Sequence, residues 1–301
     1  MTSLRDAWLV AVFEVRRSIR TWRALALIVL YMVATAGAAY LFIEFIGSAE
    51  QSIAVALGVP VTETPGAMLD ELRESEPFRR GMGAMVGGED ALDALLVWPV
   101  LAIFHLWLSF LLVPFFAASA SAESIAIDVQ SRGLRFEALR TGRLEIVLGR
   151  FGGQLLLTGL AAALSIVGVW AVGMMYMVGH TPVGLAVGLV WLGGRAWLFS
   201  VPFVGLGVAC SQLTASPAWA RVMAIAGVAG SWVLYGIARW LVREGEAYAV
   251  VGDLLLQVLP QGWLRGFWAP GVDWWVSGLV CIALGLVALS LGFLRFTRRD
   301  L

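Results

Sequence analysis

The chain has 301 residues, of which 60% are hydrophobic and 14% charged, and its 34 glycines come on top of that apolar fraction. Soluble domains average roughly 45–50% apolar with glycine counted and about 25% charged, so this composition excludes a water-soluble globular fold and describes an integral membrane protein. The 21 bases and 21 acids cancel to zero net charge, which leaves no basic field for holding nucleic acid. Every base is arginine, and a chain without lysine has no P-loop of its own, because that loop needs a lysine on the nucleotide phosphates.

Residues 1–23 form the first element. Leu4, Trp8, Val12, Val15, Ile19 and Trp22 recur at helical spacing while Arg5, Arg16, Arg20 and Arg23 fall elsewhere, which predicts an amphipathic interfacial helix. It is read as a membrane-surface anchor; a sharper reading makes it also a contact for a cytoplasmic partner.

From residue 24 onward the chain reads as a single transmembrane domain. A hydrocarbon core of ~30 Å needs about 20 apolar residues of helix, and six stretches meet that length: 24–46, 94–118, 153–178, 184–210, 222–241 and 275–296. Runs of this length without two-residue alternation argue for helices over a barrel, so the fold class is all-α, a polytopic protein with six transmembrane helices. Small residues Ala34, Ala36 and Ala38 raise the alternative of a cleaved signal sequence, but apolarity continues through Phe45, beyond a signal's apolar core.

Arginines set the orientation. Residues 1–23, the connection 119–152 and the tail (Arg295, Arg298, Arg299) are basic, whereas 47–93 carries Glu50, Glu63, Asp70, Glu71, Glu74, Glu76, Glu89, Asp90 and Asp93 against Arg73, Arg79 and Arg80. Both termini are expected in the cytoplasm and the acidic loop outside, with a short helix from Pro65. The loop's acids are read as keeping it soluble, since no calcium-loop spacing is present.

The connection 119–152 is the most informative segment. Glu123, Asp128, Arg132, Arg135, Glu137, Arg140, Arg143, Glu145 and Arg150 alternate in sign around Ile125, Leu134, Leu139, Ile146 and Leu148, with Gly133 and Gly142 as breaks. This predicts one or two short helices lying against protein. A solvated loop is the alternative, although connections of this length tend to be functional.

The order Asp128, Arg132, Gly133, Leu139, Arg143, Glu145, Ile146, Leu148, Gly149, Arg150 resembles the cytoplasmic signature of the type-2 ABC exporter permeases. Arg150 stands where lysine is frequent in that family, and Gly142 about where a proline is often found. A second stretch, Leu259, Pro260, Phe267, Gly271, Val272 and Asp273 before a last span ending in Phe296, Arg298, Arg299, Asp300 and Leu301, is similar to the close of those permeases. The resemblance implies a six-helix subunit of an exporter in the inner membrane of a prokaryote, working with a separate ATPase and normally with a second permease copy. It places ATP and magnesium on that partner and no cofactor in this chain. It also implies a coupling helix between spans two and three that seats on the ATPase, made by Glu123, Asp128, Arg132, Gly133, Arg135, Glu137, Arg140, Arg143, Glu145 and Arg150. The turn 211–220 would be a second contact, with Pro217 as a helix-start proline.

Residues 247–259 are apolar but too short to span, and Pro260 ends them; they are read as a re-entrant helix or one lying flat on the outer leaflet. Arg195, preceded by Gly193 and Gly194 in the fourth span, must face protein or water. Its two readings are a substrate-pathway charge and a structural partner of a carboxylate or of carbonyls freed by the glycines. His105 lies in the second span with no second histidine at metal-ligand spacing, and reads as a satisfied core residue or a pathway group. Two other functions stand beside the exporter: a membrane-embedded enzyme acting on lipid, which needs His105 and Arg195 to converge with an acid, and a non-transporting scaffold.

Overall fold

A computed structural model describes residues 4–57, 64–86, 92–93, 95–244, 246–269 and 273–298. Among them the chain is helical and forms no strand. Six helices are long and apolar enough to cross a membrane. They are α2 (Trp22–Leu57), α5 (Val100–Ser121), α8 (Arg143–Tyr176), α9 (Pro182–Leu213), α10 (Pro217–Glu244) and α13 (Asp273–Thr297). Each is where hydropathy placed a span, but most overrun it. The helix of the first span continues to Leu57, and α8 starts at Arg143, ten residues before the apolar run. Backbone hydrogen bonding carries a helix past the bilayer, so apolarity marks the membrane segment and not the helix. Span two begins later than its apolar run, at Val100 after Pro99.

Around these lie α1 (Leu4–Arg20), α3 (Leu69–Glu74), α4 (Glu76–Val86), α6 (Ala126–Gln130), α7 (Leu134–Ala138), α11 (Glu246–Val258) and α12 (Leu264–Trp268), the last two joined through a 3-10 turn at Pro260–Trp263. Local chemistry fixes the ends. Thr181 caps α9, its hydroxyl accepting from Gly184 N at 3.0 Å with Pro182 in the first turn. Gly142, extended at φ −65°, ψ 155°, is the residue from which α8 starts. The short helix expected from Pro65 starts instead at Leu69, because residues 65–68 are turns tied down by Glu50, whose carboxylate accepts from Gly66 N at 2.8 Å and Met68 N at 3.1 Å. Glu63, Glu89, Asp90, Gly271, Val272, Arg299, Asp300 and Leu301 lie outside the described residues.

The core is built on α9. Phe199 and Phe203 are fully buried with Phe110 of α5 and Phe267 of α12, in edge-on or tilted ring pairs 5.0–6.0 Å apart. Helix α13 packs against α9 backbone to backbone: a Cβ on Gly205 would meet Gly285 Cα at 2.9 Å, and one on Gly292 would meet Ala209 Cα at 2.7 Å. Small residues permit this approach, which in lipid substitutes packing for the missing hydrophobic drive.

Candidate functional site

One end of the bundle collects α1, α6, α7, the turn 214–216 and the end of α13, and there the charged residues converge. Helix α1 lies on the first turns of α8. Its buried residues are Val10, Ala11 and Glu14; of the expected stripe, Leu4, Trp8, Ile19 and Trp22 are exposed and Val12 and Val15 half-buried. The helix therefore has two working faces, one of which hydropathy spacing could not reveal. Gly149 and Gly153 make the crossing possible: a Cβ at Gly149 would stand 2.5 Å from Val10 Cβ and 2.6 Å from Ala7 O, and one at Gly153 would stand 2.8 Å from Glu14 Cβ.

This close crossing sets Glu14 against Arg150, 1% and 1% exposed. Arg150 is the hub of a buried clasp. It donates to Glu14, to Glu137 at 2.8 Å, and pairs with Asp128 at 2.8 Å. Gln154 donates to the other oxygen of Glu14 at 2.7 Å, and Arg17 forks onto both oxygens of Asp128 at 2.7 Å. One guanidinium thus joins α1, α6, α7 and α8. Buried charges are tolerable only when paired and hydrogen-bonded, and the three carboxylates on Arg150 supply that pairing.

Three further contacts tie the same segment to the membrane helices. Ser211 Oγ at the end of α9 accepts from Ile125 N and Ala126 N, both at 2.8 Å, satisfying donors that the start of α6 leaves open. Arg221 of α10 donates to Glu123 at 2.6 Å. Arg143 donates to Phe296 O and Thr297 O at 3.1 and 2.8 Å, capping α13 where its dipole is negative. Glu145 sits buried in the first turn of α8, its carboxyl folded back on Gly142.

The remaining residues of the expected coupling segment face outward. Arg132 takes a left-handed φ of 61° beside Gly133, a conformation that a bulky residue adopts only when its surroundings impose it. Around this tip Arg132, Arg135 and Arg140 are exposed, and so are Phe136 and Leu139, at 74% and 83%. Of the ten residues expected to form the coupling segment, the structure thus gathers Glu123, Asp128, Glu137, Arg143, Glu145 and Arg150 into its inner anchorage and leaves Arg132, Gly133, Arg135 and Arg140 as its outer face. Glu14, Arg17, Gln154, Ser211 and Arg221 were not singled out from the sequence. The signal that was visible is local: Glu14 and Arg17 stand three residues apart on one face of α1 and pair at 3.0 Å.

Arg195 and His105 belong to separate places. Arg195 is 4% exposed and donates to Phe267 O at 2.8 Å and Ala269 O at 3.2 Å, carbonyls at the end of α12, while its guanidinium stands 5.3 Å from the Trp274 ring and 5.9 Å from that of Trp191. Carbonyls are its partners, as one structural reading held, but they come from α12 and not from the helix's own glycines. His105 Nε2 is 2.8 Å from Ser165 Oγ. Thr35 donates to Tyr31 O and Met32 O, so Ser165 donates to Thr35 and His105 in turn donates to Ser165. Ser165 is thus a relay between helices and not an activated nucleophile; among the described residues His105 Nδ1 has no hydrogen-bond partner, and Arg195 hydrogen-bonds carbonyls and forms no ion pair. Among the described residues no group of histidine, cysteine and acid side chains could hold a metal.

Six apolar helices crossing together, with a charged and partly exposed segment bolted to one end, define a polytopic membrane protein of the transporter-permease kind. A family model described as ABC-2 family transporter protein matches residues 8–301, and the chain belongs to that family. No curated protein matches it.

Proposed function

We propose that the chain is the membrane-spanning subunit of an ATP-driven exporter, sited in a prokaryotic inner membrane with both termini in the cytoplasm. A separate subunit binds ATP and magnesium, and two permease copies enclose the pathway. The Arg150 clasp carries this reading. It joins an exposed tip, Phe136 and Leu139 ringed by arginines, to the later turns of α1 and the early turns of α8, with Ser211, Arg221 and Arg143 passing the same displacement to α9, α10 and α13. A push on the tip then reaches every membrane helix attached to that end.

Gentle purification of the tagged chain recovers an ATPase subunit with it, and Leu139→Glu with Phe136→Glu releases that subunit while the permease still folds. A chain that is always recovered alone, or a double variant that keeps its ATPase fully, would overturn the reading.

A further inference from the structure

Two cavities lie side by side at the clasp end and share a wall. One, of ≈ 500 Å³, reaches from Arg17 and Asp128 at its charged end to Leu27, Ile28, Phe116 and Leu157 at its apolar end. The other, of ≈ 740 Å³, opens beside Pro217 at the start of α10. Both are bounded by Leu27, Ser119, Glu123 and Arg221. The 2.6 Å Arg221–Glu123 pair is therefore a bar across a single larger vestibule between α2, α5 and α10.

The chemistry of the bar restricts what can enter. Its two side chains are 39% and 19% exposed, so water already reaches them. Parting α10 from α5 separates a guanidinium from a carboxylate at the edge of an apolar chamber and takes from each the opposite charge it faces there. A ligand of single charge answers one of them and repels the other. A headgroup holding an ammonium and a phosphate answers both, the phosphate on Arg221 and the ammonium on Glu123. Leu27, Ile28, Phe116 and Leu157 beyond the bar then take an acyl chain. The volume suits it, since ligand chambers commonly measure about 300–1,000 Å³.

We propose that this vestibule binds a zwitterionic amphiphile, with the Arg221–Glu123 pair opening onto its headgroup and the chamber behind holding its chain. Taken with the exporter reading, on which it rests for its role but not for its existence, this assigns the class of cargo and the side from which it enters.

The test uses the purified full-length chain in a neutral glycosidic detergent and a tail-labelled lysophosphatidylethanolamine. Unlabelled lysophosphatidylethanolamine displaces the probe at concentrations at least about tenfold below those needed for dodecylamine or dodecyl phosphate, since a lost charged contact is worth roughly that much. Glycerophosphoethanolamine, the headgroup without its chain, displaces it poorly. Filling the chamber by Leu157→Trp, or independently by Leu27→Trp, weakens binding by about tenfold, and so does Arg221→Gln, while the exchange Glu123→Arg with Arg221→Glu keeps it. Equal displacement by singly charged amphiphiles, full competition by the free headgroup, or binding indifferent to both tryptophan variants in chains that melt normally would overturn the proposal. The two readings fail separately: a chain that brings an ATPase but binds no probe loses the amphiphile, and a chain that binds the probe but never carries an ATPase loses the exporter.

Discussion

Among the described residues Arg150 gathers the most opposite charge, with Glu14, Asp128 and Glu137 all on its guanidinium. Removing one carboxylate leaves it two partners; removing the arginine leaves three carboxylates in one place, with Arg17 still on Glu14 and Asp128. Breaking a buried pair from the uncompensated side costs about 3–5 kcal/mol. Arg150→Gln should therefore lower the melting temperature of the purified chain far more than Glu14→Gln does, and Arg150→Lys should recover only part of the loss, because an ammonium cannot fork onto several carboxylates. Equal melting of the glutamine variants would mean that the clasp is not centred on Arg150. Arg195 calls for a different expectation. Its partners are carbonyls of α12 and two indole rings, so Arg195→Lys should keep assembly while Arg195→Leu detaches α12 from α9, read as faster proteolysis near Ala269.

Between elements, the crossing of α1 over α8 depends on the absence of side chains. Gly149→Val places atoms where Val10 and the Ala7 carbonyl already stand and should cost about 1–3 kcal/mol or more. Gly152, one residue before the tight contact at Gly153, has Ala11 Cβ at 3.8 Å from its would-be Cβ, so Gly152→Ala should be neutral or stabilising by up to about 1 kcal/mol. Thermal melts of the two variants check both signs. At the opposite end the strap 65–68 is held by Glu50 and by Val178 N donating to Pro65 O at 2.9 Å, with His180 next to it. Burial pushes His180 below its usual 6.5 despite a hydrogen bond to the Val178 backbone. A histidine kept neutral by folding contributes fully above the unfolded value and loses that contribution as pH falls below it. Melting should thus drop between pH 7.5 and 5.5 in the parent and drop less in His180→Gln.

The connection 119–152 was legible as a segment because its sign alternation and glycine breaks are local properties: α6 ends before Gly133, and α7 lies between Gly133 and Gly142. Its anchorage was not. Glu14 and Arg150 stand 136 residues apart and Arg221 and Glu123 98 apart, distances over which no periodicity carries information. Arg195 was recognisable as buried from its position in an apolar run, yet its partners lie on a short helix 72 residues on.

At the scale of the whole molecule the six spans are unequally attached, and this decides which of them can move. In α9 78% of the apolar window is buried, and its backbone meets that of α13 at Gly205 and Gly292, leaving no room to slide without breaking packing. In α10 only 17% is buried. It is held by Arg221 on Glu123 near its start and by Gln261 of the 3-10 turn donating to Ser231 at 2.7 Å about midway along it. A displacement arriving through Glu123 therefore meets a rigid α9–α13 pair and a lightly seated α10, and the path of least cost is rotation of α10 away from α5, which opens the bar between the two cavities. Spin labels on exposed sites report this directly. With labels at Val233 of α10 and Leu279 of α13, adding ATP to the assembled transporter should change the measured distance distribution, whereas labels at Val190 of α9 and Leu279 should keep theirs. A shift in the second pair without one in the first would place the moving element in α9–α13 and leave the Arg221–Glu123 contact as static bracing.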